Sequence, residues 1–170
     1  STLFPYTTLF RSRDNKDKVN EDFAYSLSDD TILLYDINSI ISISKEHKGR
    51  INCLIRLSNG QIASGGQDNT IKIWDIEKKQ SVYTFTGHTS IIWEIREIEG
   101  NKIISGADDN KSKIWDLKTK KCEDFCKCNR HISGIAILKN NKIIIASGQN
   151  LFLYDLKTKQ QESVLDVKAW

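Results

Sequence analysis

No apolar run in these 170 residues approaches the roughly 18 that a membrane-crossing helix needs. Cysteine is scarce and badly placed for a disulfide framework: Cys53, Cys122, Cys126 and Cys128 are unevenly spaced. The opening residues lack the basic start, continuous apolar stretch and small-residue cleavage site of a secretory signal. These absences point to a reducing cytosolic or nuclear setting. An excess of one charge sign is missing too. A formal net charge of +3 gives no average field that demands an anionic partner. What is present, 39% hydrophobic and 28% charged residues, is the composition expected of a soluble globular chain with room for one sizeable core.

Self-similarity is the strongest signal in the sequence. The stretches "SGGQDNTIKIWD" (64–75) and "SGADDNKSKIWD" (105–116) superimpose without a gap, and weaker copies end in "DDTILLYD" (29–36) and "SGQNLFLYD" (147–155). The aromatic-Asp pairs begin at Tyr35, Trp74, Trp115 and Tyr154, at spacings of 39, 41 and 39. Upstream, His47 and His88 stand 41 apart. A period near 40 with short β-rich segments and Gly/Asn turns predicts four strands per unit. In the second unit these fall at 51–57, 61–64, 70–76 and 81–86. The turns "SNGQ" (58–61) and "GGQDN" (65–69) are rich in residues that tolerate positive φ. The third strands of the four units are expected near 31–37, 70–76, 111–117 and 150–156.

The Gly-His, Ser-Gly, Asp and Trp-Asp pattern at this period resembles the WD40 family of β-propellers, from about residue 24 onward. The resemblance implies an all-β fold: a partial WD40 β-propeller of about four four-stranded antiparallel blades over 23–170. The ring is expected to be incomplete, because family members usually close with more blades. The resemblance also implies a hydrogen-bonded chain in each well-preserved unit. Its members are His47, Ser64, Asp68 and Trp74 in the second unit, and His88, Ser105, Asp109 and Trp115 in the third. A buried indole N–H needs an acceptor, which a serine hydroxyl supplies while donating to imidazole; a carboxylate then accepts from the other ring nitrogen. Each neutral link contributes about 1 kcal/mol, and burial of one indole roughly 4–6 kcal/mol as an upper bound. Packing is therefore the larger effect, and the polar chain chiefly sets register.

The outer units depart from this pattern. In the fourth, Cys128 stands opposite His88, His131 opposite Ile91, the turn Asp is missing and Tyr154 replaces Trp. In the first, Asp29 matches Asp68 but Tyr25 stands where Ser64 does. These units are expected to rely on apolar packing.

Ser, His and Asp invite a hydrolase reading, but a set that recurs with each repeat, its serine buried beside an indole, is structural. No catalytic residue and no cofactor are expected. "CEDFCKCNRH" (122–131) offers three thiols and an imidazole, yet its spacing fits no common zinc pattern, and alternation along a strand accounts for it. No metal is expected. Six turns between first and second or third and fourth strands carry Lys78, Lys79, Lys102, Lys118, Lys120, Lys121, Lys139, Lys142, Lys157 and Lys159 against two glutamates, a balance of +8 on one rim. Solubility explains exposed lysines adequately, and docking to acidic lipid or nucleic acid is the sharper alternative. On the opposite rim, family practice places partner contacts at Arg50, Gln67, Ile91, Asp108 and His131, with Asn129 nearby. Their mixed chemistry suits a protein or peptide partner. The expected function is a non-catalytic scaffold or adaptor, with nucleic acid, membrane and small-molecule substrates disfavoured.

The opening "STLFPYTTLFRS" (1–12) matches no position of the repeat, and 13–22 is polar and strand-poor. By period, the first strand of the first unit belongs near 15–27. Reverse translation of residues 2–12 gives a string similar to a sequencing-library adapter, so 1–12 is expected to be non-native and outside the fold.

Overall fold

The chain is rich in isoleucine arranged in short runs between Gly, Asn and Asp, and β-branched side chains stiff at χ1 favour strands over helices. The computed structural model describes residues 46–166 in full and, before them, the courses of four strands at 10–11, 23–26, 32–36 and 39–43. Every regular element among the described residues is a strand. Two compact units divide the chain, Ser1–Phe85 and Thr86–Trp170.

The first unit holds two sheets. One contains β1 (Phe10–Arg11), β2 (Phe23–Ser26), β3 (Ile32–Asp36) and β4 (Ser39–Ile43), and the other β5 (Ile51–Arg56), β6 (Ile62–Gly66), β7 (Ile71–Asp75) and β8 (Gln80–Phe85). The second unit also holds two. Its sheets are β9 (Ile92–Ile98), β10 (Lys102–Ala107), β11 (Lys111–Asp116) and β12 (Cys122–Lys127), then β13 (Ile132–Ile137), β14 (Lys142–Ser147), β15 (Asn150–Asp155) and β16 (Gln161–Asp166). Each sheet is an antiparallel meander in chain order. The four third strands, β3, β7, β11 and β15, lie inside the ranges expected from the repeat. The first sheet differs at its start. Phe10–Arg11 pairs with Phe23–Ala24, and the window 15–27 holds the second strand, β2. The rest of 1–12, and Asp29, lie outside the described residues.

Turn chemistry explains the aspartate in three of the aromatic-Asp pairs, Asp75, Asp116 and Asp155. Asp116 Oδ1 accepts from the N–H groups of Lys118 and Thr119 at 2.9 and 2.7 Å, and Asp155 Oδ1 from those of Lys157 and Thr158 at 2.8 and 2.9 Å. Asp75 Oδ1 does the same for Lys78 at 3.1 Å. A carboxylate that folds back over its own turn satisfies donors no strand can reach. Each turn then closes through a lysine in the left-handed region, Lys79, Lys120 or Lys159.

Packing follows from position in the meander. β6 is buried at all five residues, as a strand covered on both faces must be, whereas β12 and β16 are largely exposed. In the second unit one apolar cluster joins the two sheets: Ile104, Ile114 and Phe125 meet Ile132, Ile135, Ile143, Ile145 and Tyr154. The contact is close because Gly106 has no side chain. A Cβ there would stand 2.3 Å from Ile132 Cγ2.

Candidate functional site

Antiparallel pairing sets Ile62 opposite Trp74 and Ser64 opposite Lys72, which brings the Ser64 hydroxyl under the indole. Trp74 Nε1–H donates to Ser64 Oγ at 2.7 Å, Ser64 O–H donates to His47 Nε2 at 2.7 Å, and His47 Nδ1–H donates to the Asp68 carboxylate at 2.9 and 3.0 Å. The third sheet repeats the chain from Trp115 to Ser105 at 2.7 Å, Ser105 to His88 at 2.7 Å and His88 to Asp109 at 2.8 Å. Because a carboxylate only accepts, Nδ1 carries the proton, and Nε2 is left to accept from serine. Every polar atom is thereby used.

The carboxylates are fixed from several sides. Burial alone would raise Asp68, but hydrogen bonds from His47, the Lys48 N–H and Thr70 outweigh it and hold its carboxyl well below the usual range. Asp109 is lowered in the same way: burial opposes, while the Thr89 N–H, His88 and the Lys111 N–H prevail. Burial lowers His88 below its ordinary value, and Asp109 counteracts this only in part. Both serines and both indoles are buried. A serine oxygen that receives an indole proton and gives its own to imidazole presents no nucleophile to solvent.

The fourth sheet holds apolar groups at the equivalent places. Cys128, Ile145 and Tyr154 occupy the His, Ser and Trp positions and pack together with Phe125, whose ring meets Tyr154 edge-on at 5.5 Å. Of the three clustered thiols, Cys122 is exposed, Cys126 half-buried and Cys128 buried, and all four cysteines of the chain are free. Simple alternation does not produce that order. β12 pairs Lys113 with Asp124 and Ser112 with Cys126, so Phe125 is passed over and the side-chain sequence resets. Among the described residues, no group of three or more His, Cys, Asp or Glu side chains stands close enough to hold a metal ion.

A bulge of the same kind shapes the starts of the first strands. In β5, β9 and β13 the pairing register skips one residue at the same place, namely Asn52, Trp93 and Ser133. A bulged residue is turned away from the ladder. At Trp93 the outcome is an indole 41% exposed at the strand end, with Nε1–H donating to Asp108 Oδ1 at 2.6 Å. Asp108 is itself tied by its N–H to Ile91 O at 2.9 Å. Ile91, Trp93 and Asp108 therefore form one surface.

The other positions expected to meet a partner fall into separate groups. Gln67 N–H donates to Arg50 O at 2.9 Å in the first unit, the same backbone link that joins Asp108 to Ile91 in the second. Asn129 lines a cleft of about 380 Å³ with Arg130, Ser147 and Asp166. His131 is exposed at the foot of β13 and shares no hydrogen bond with either group among the described residues. Several turn lysines are also engaged locally. Lys78 pairs with Asp75 at 2.9 Å, Lys159 with Glu123 at 2.6 Å, and Lys142 with Asp155 at 3.0 Å and with Glu162. Lys120 Nζ donates to Leu117 O at 2.6 Å.

With this geometry in hand, comparison with known proteins is decisive for the repeats. The family described as WD domain, G-beta repeat (WD40) matches residues 38–75 and 79–116. These are WD40 repeats. Each sequence repeat gives its first strand to one sheet and its next three to the following sheet, so β4 and β8 close sheets begun by the preceding repeat. The WD40 domain of Doa1, a crystal structure, superimposes with a TM-score of 0.78 and 17% identity, over 87% of this chain and 51% of that one. That likeness concerns the fold: a partial WD40 propeller. Two curated relatives are the E3 ubiquitin-protein ligase COP1 of Arabidopsis thaliana, 33% identical over 70 residues, and the F-box/WD repeat-containing protein sel-10 of Caenorhabditis elegans, 29% identical over 52 residues. The matches cover 39% and 31% of this chain, and only 10% and 9% of those proteins.

Proposed function

We propose that the chain is a non-catalytic scaffold or adaptor whose WD40 sheets recruit a protein partner. The observation that carries this reading is Trp93. A bulge holds an indole out of the ladder, half in water, with its N–H fixed to Asp108 and Ile91 alongside. Rigid aromatic side chains with a polar handle are what protein interfaces use as anchors. The curated relatives lend support as well: WD40 chains occur in an E3 ubiquitin-protein ligase and in an F-box/WD repeat-containing protein, so recruitment for ubiquitin transfer is one setting in which such an adaptor serves. The non-catalytic part of the reading rests on the buried serines, whose hydroxyls are committed on both sides.

The test is peptide display panned against the full chain. Peptides enriched on the wild type should bind Trp93→Ala and Asp108→Ala at least tenfold more weakly, while both variants keep the wild-type urea midpoint. Enriched peptides that bind both variants as tightly as the wild type, or failure to enrich any, would remove the reading.

A further inference from the structure

At the far ends of the strands from Trp93, the second unit contains a cleft of about 480 Å³ between its two sheets. Its floor is aliphatic, formed by Ile98, Ile114, Ile137, Leu138 and Leu156. Ile137 and Leu138 are 39% and 42% exposed, which leaves apolar surface uncovered at a strand end. Turns form the walls. Lys102, Lys139, Lys157 and Lys159 face Glu99 and Glu123, so the mouth carries four positive charges against two negative. The geometry of the walls is fixed by sequence, since Asn140 and Asn141 both take the left-handed conformation that a two-residue hairpin turn requires, and Asp155 caps the turn bearing Lys157 and Lys159.

Three of these ammonium groups, on Lys102, Lys139 and Lys157, make no ion pair among the described residues, and of the three Lys102 lies in the field of Asp116. The fourth shows what the mouth accepts: Lys159 holds the carboxylate of Glu123 at 2.6 Å, across the gap from one sheet to the other. The lining includes no aromatic side chain on which a nucleobase could stack, so an oligonucleotide would gain only the charge. A peptide gains from both surfaces.

We propose that this cleft binds an acidic segment of a partner protein, one apolar side chain of which inserts between Ile137, Leu138 and Leu156 while flanking carboxylates engage Lys139 and Lys157. The inference goes beyond the recognition role of Trp93, and either can fail without the other. The test is an NMR titration of the full chain, labelled at the isoleucine and leucine methyls and at the tryptophan indole nitrogens. Its probes are a synthetic hexapeptide of Asp and Glu around one central leucine, and the same peptide with alanine in place of that leucine. The leucine peptide should shift the Ile137, Leu138 and Leu156 methyls in a saturable way, leaving the Trp93 indole signal in place. The alanine peptide should bind at least tenfold more weakly, and the Lys139→Glu/Lys157→Glu variant should weaken the leucine peptide by at least tenfold. The milder Lys139→Gln/Lys157→Gln variant, used if the first does not fold, should weaken it at least threefold. The proposal is overturned if the cleft methyls do not move, if the two peptides bind equally, or if neither lysine variant changes the affinity. Movement of the same methyls by single-stranded DNA or phosphatidylserine vesicles at lower concentrations than the peptide would also overturn it.

Discussion

His88 stands between opposing demands: burial disfavours its charged form, and Asp109 recovers part of that loss. A protonated ring would have to donate from Nε2 toward Ser105 Oγ, which already receives the Trp115 N–H, and the serine proton would lose its acceptor. The linkage sign is the same for both titrating members. A histidine lowered from 6.5 and an aspartate lowered from 3.8 each bind fewer protons folded than unfolded. Stability from His88 is therefore complete above pH 6.5 and lost as pH falls toward its folded value, and that from Asp109 is lost below 3.8. Urea titrations followed by tryptophan emission should show the midpoint falling between pH 6.5 and 5, with a slope from this one ring of no more than about 1.4 kcal/mol per pH unit. His88→Gln should lose that component. A midpoint that stays level or rises over this interval would contradict the neutral-imidazole chain.

Strands were legible because the repeat is nearly isometric. Intervals of 17 residues from His to Ser, 10 from Ser to Trp and 21 from His to Asp recur in both well-preserved sheets, and equal intervals in equal ladders give equal contacts. Trp93 was not read as a site, because "IIWEIREI" resembles a core strand and a bulge cancels the alternation such a reading uses. The signal was nonetheless present. The residues aligned with Trp93 after the first isoleucine of each strand are Asn52 and Ser133, which mark that position as one turned from the core. Glycine spacing also held information that only packing discloses. Gly106 lets β13 approach β10, so Gly106→Ala should cost about 1–3 kcal/mol by overpacking against Ile132. Ile132→Ala removes the Cγ2 that the new methyl would strike, so the double variant should lose less stability than the two single changes together, a coupling measurable in a double-mutant cycle. Additive losses would show that the two residues do not meet.

The largest scale is governed by how far such a loss travels. Repeat architectures gain stability from intrinsic terms and from nearest neighbours, and the chain clusters into two units that meet at Phe85 and Thr86 in sequence. Trp74 reports from the buried interior of the first unit and Trp115 from that of the second. Ile132 belongs to a cluster confined to the second unit, shared by its two sheets. A defect there removes contacts from β10 and β13 directly, and nothing in the cluster extends to the first unit. Unfolding should accordingly depart from two-state behaviour. With 5-fluorotryptophan in all four positions and each resonance assigned by a single Trp→Phe change, Ile132→Ala should move the denaturation midpoint seen at Trp115 at least three times as far as that seen at Trp74. Equal displacement of both resonances would mean that the repeats are one cooperative body, so that partner binding at Trp93 or at the lysine-walled cleft would stabilise every sheet alike. Unequal displacement would confine such stabilisation to the second unit, where both surfaces lie.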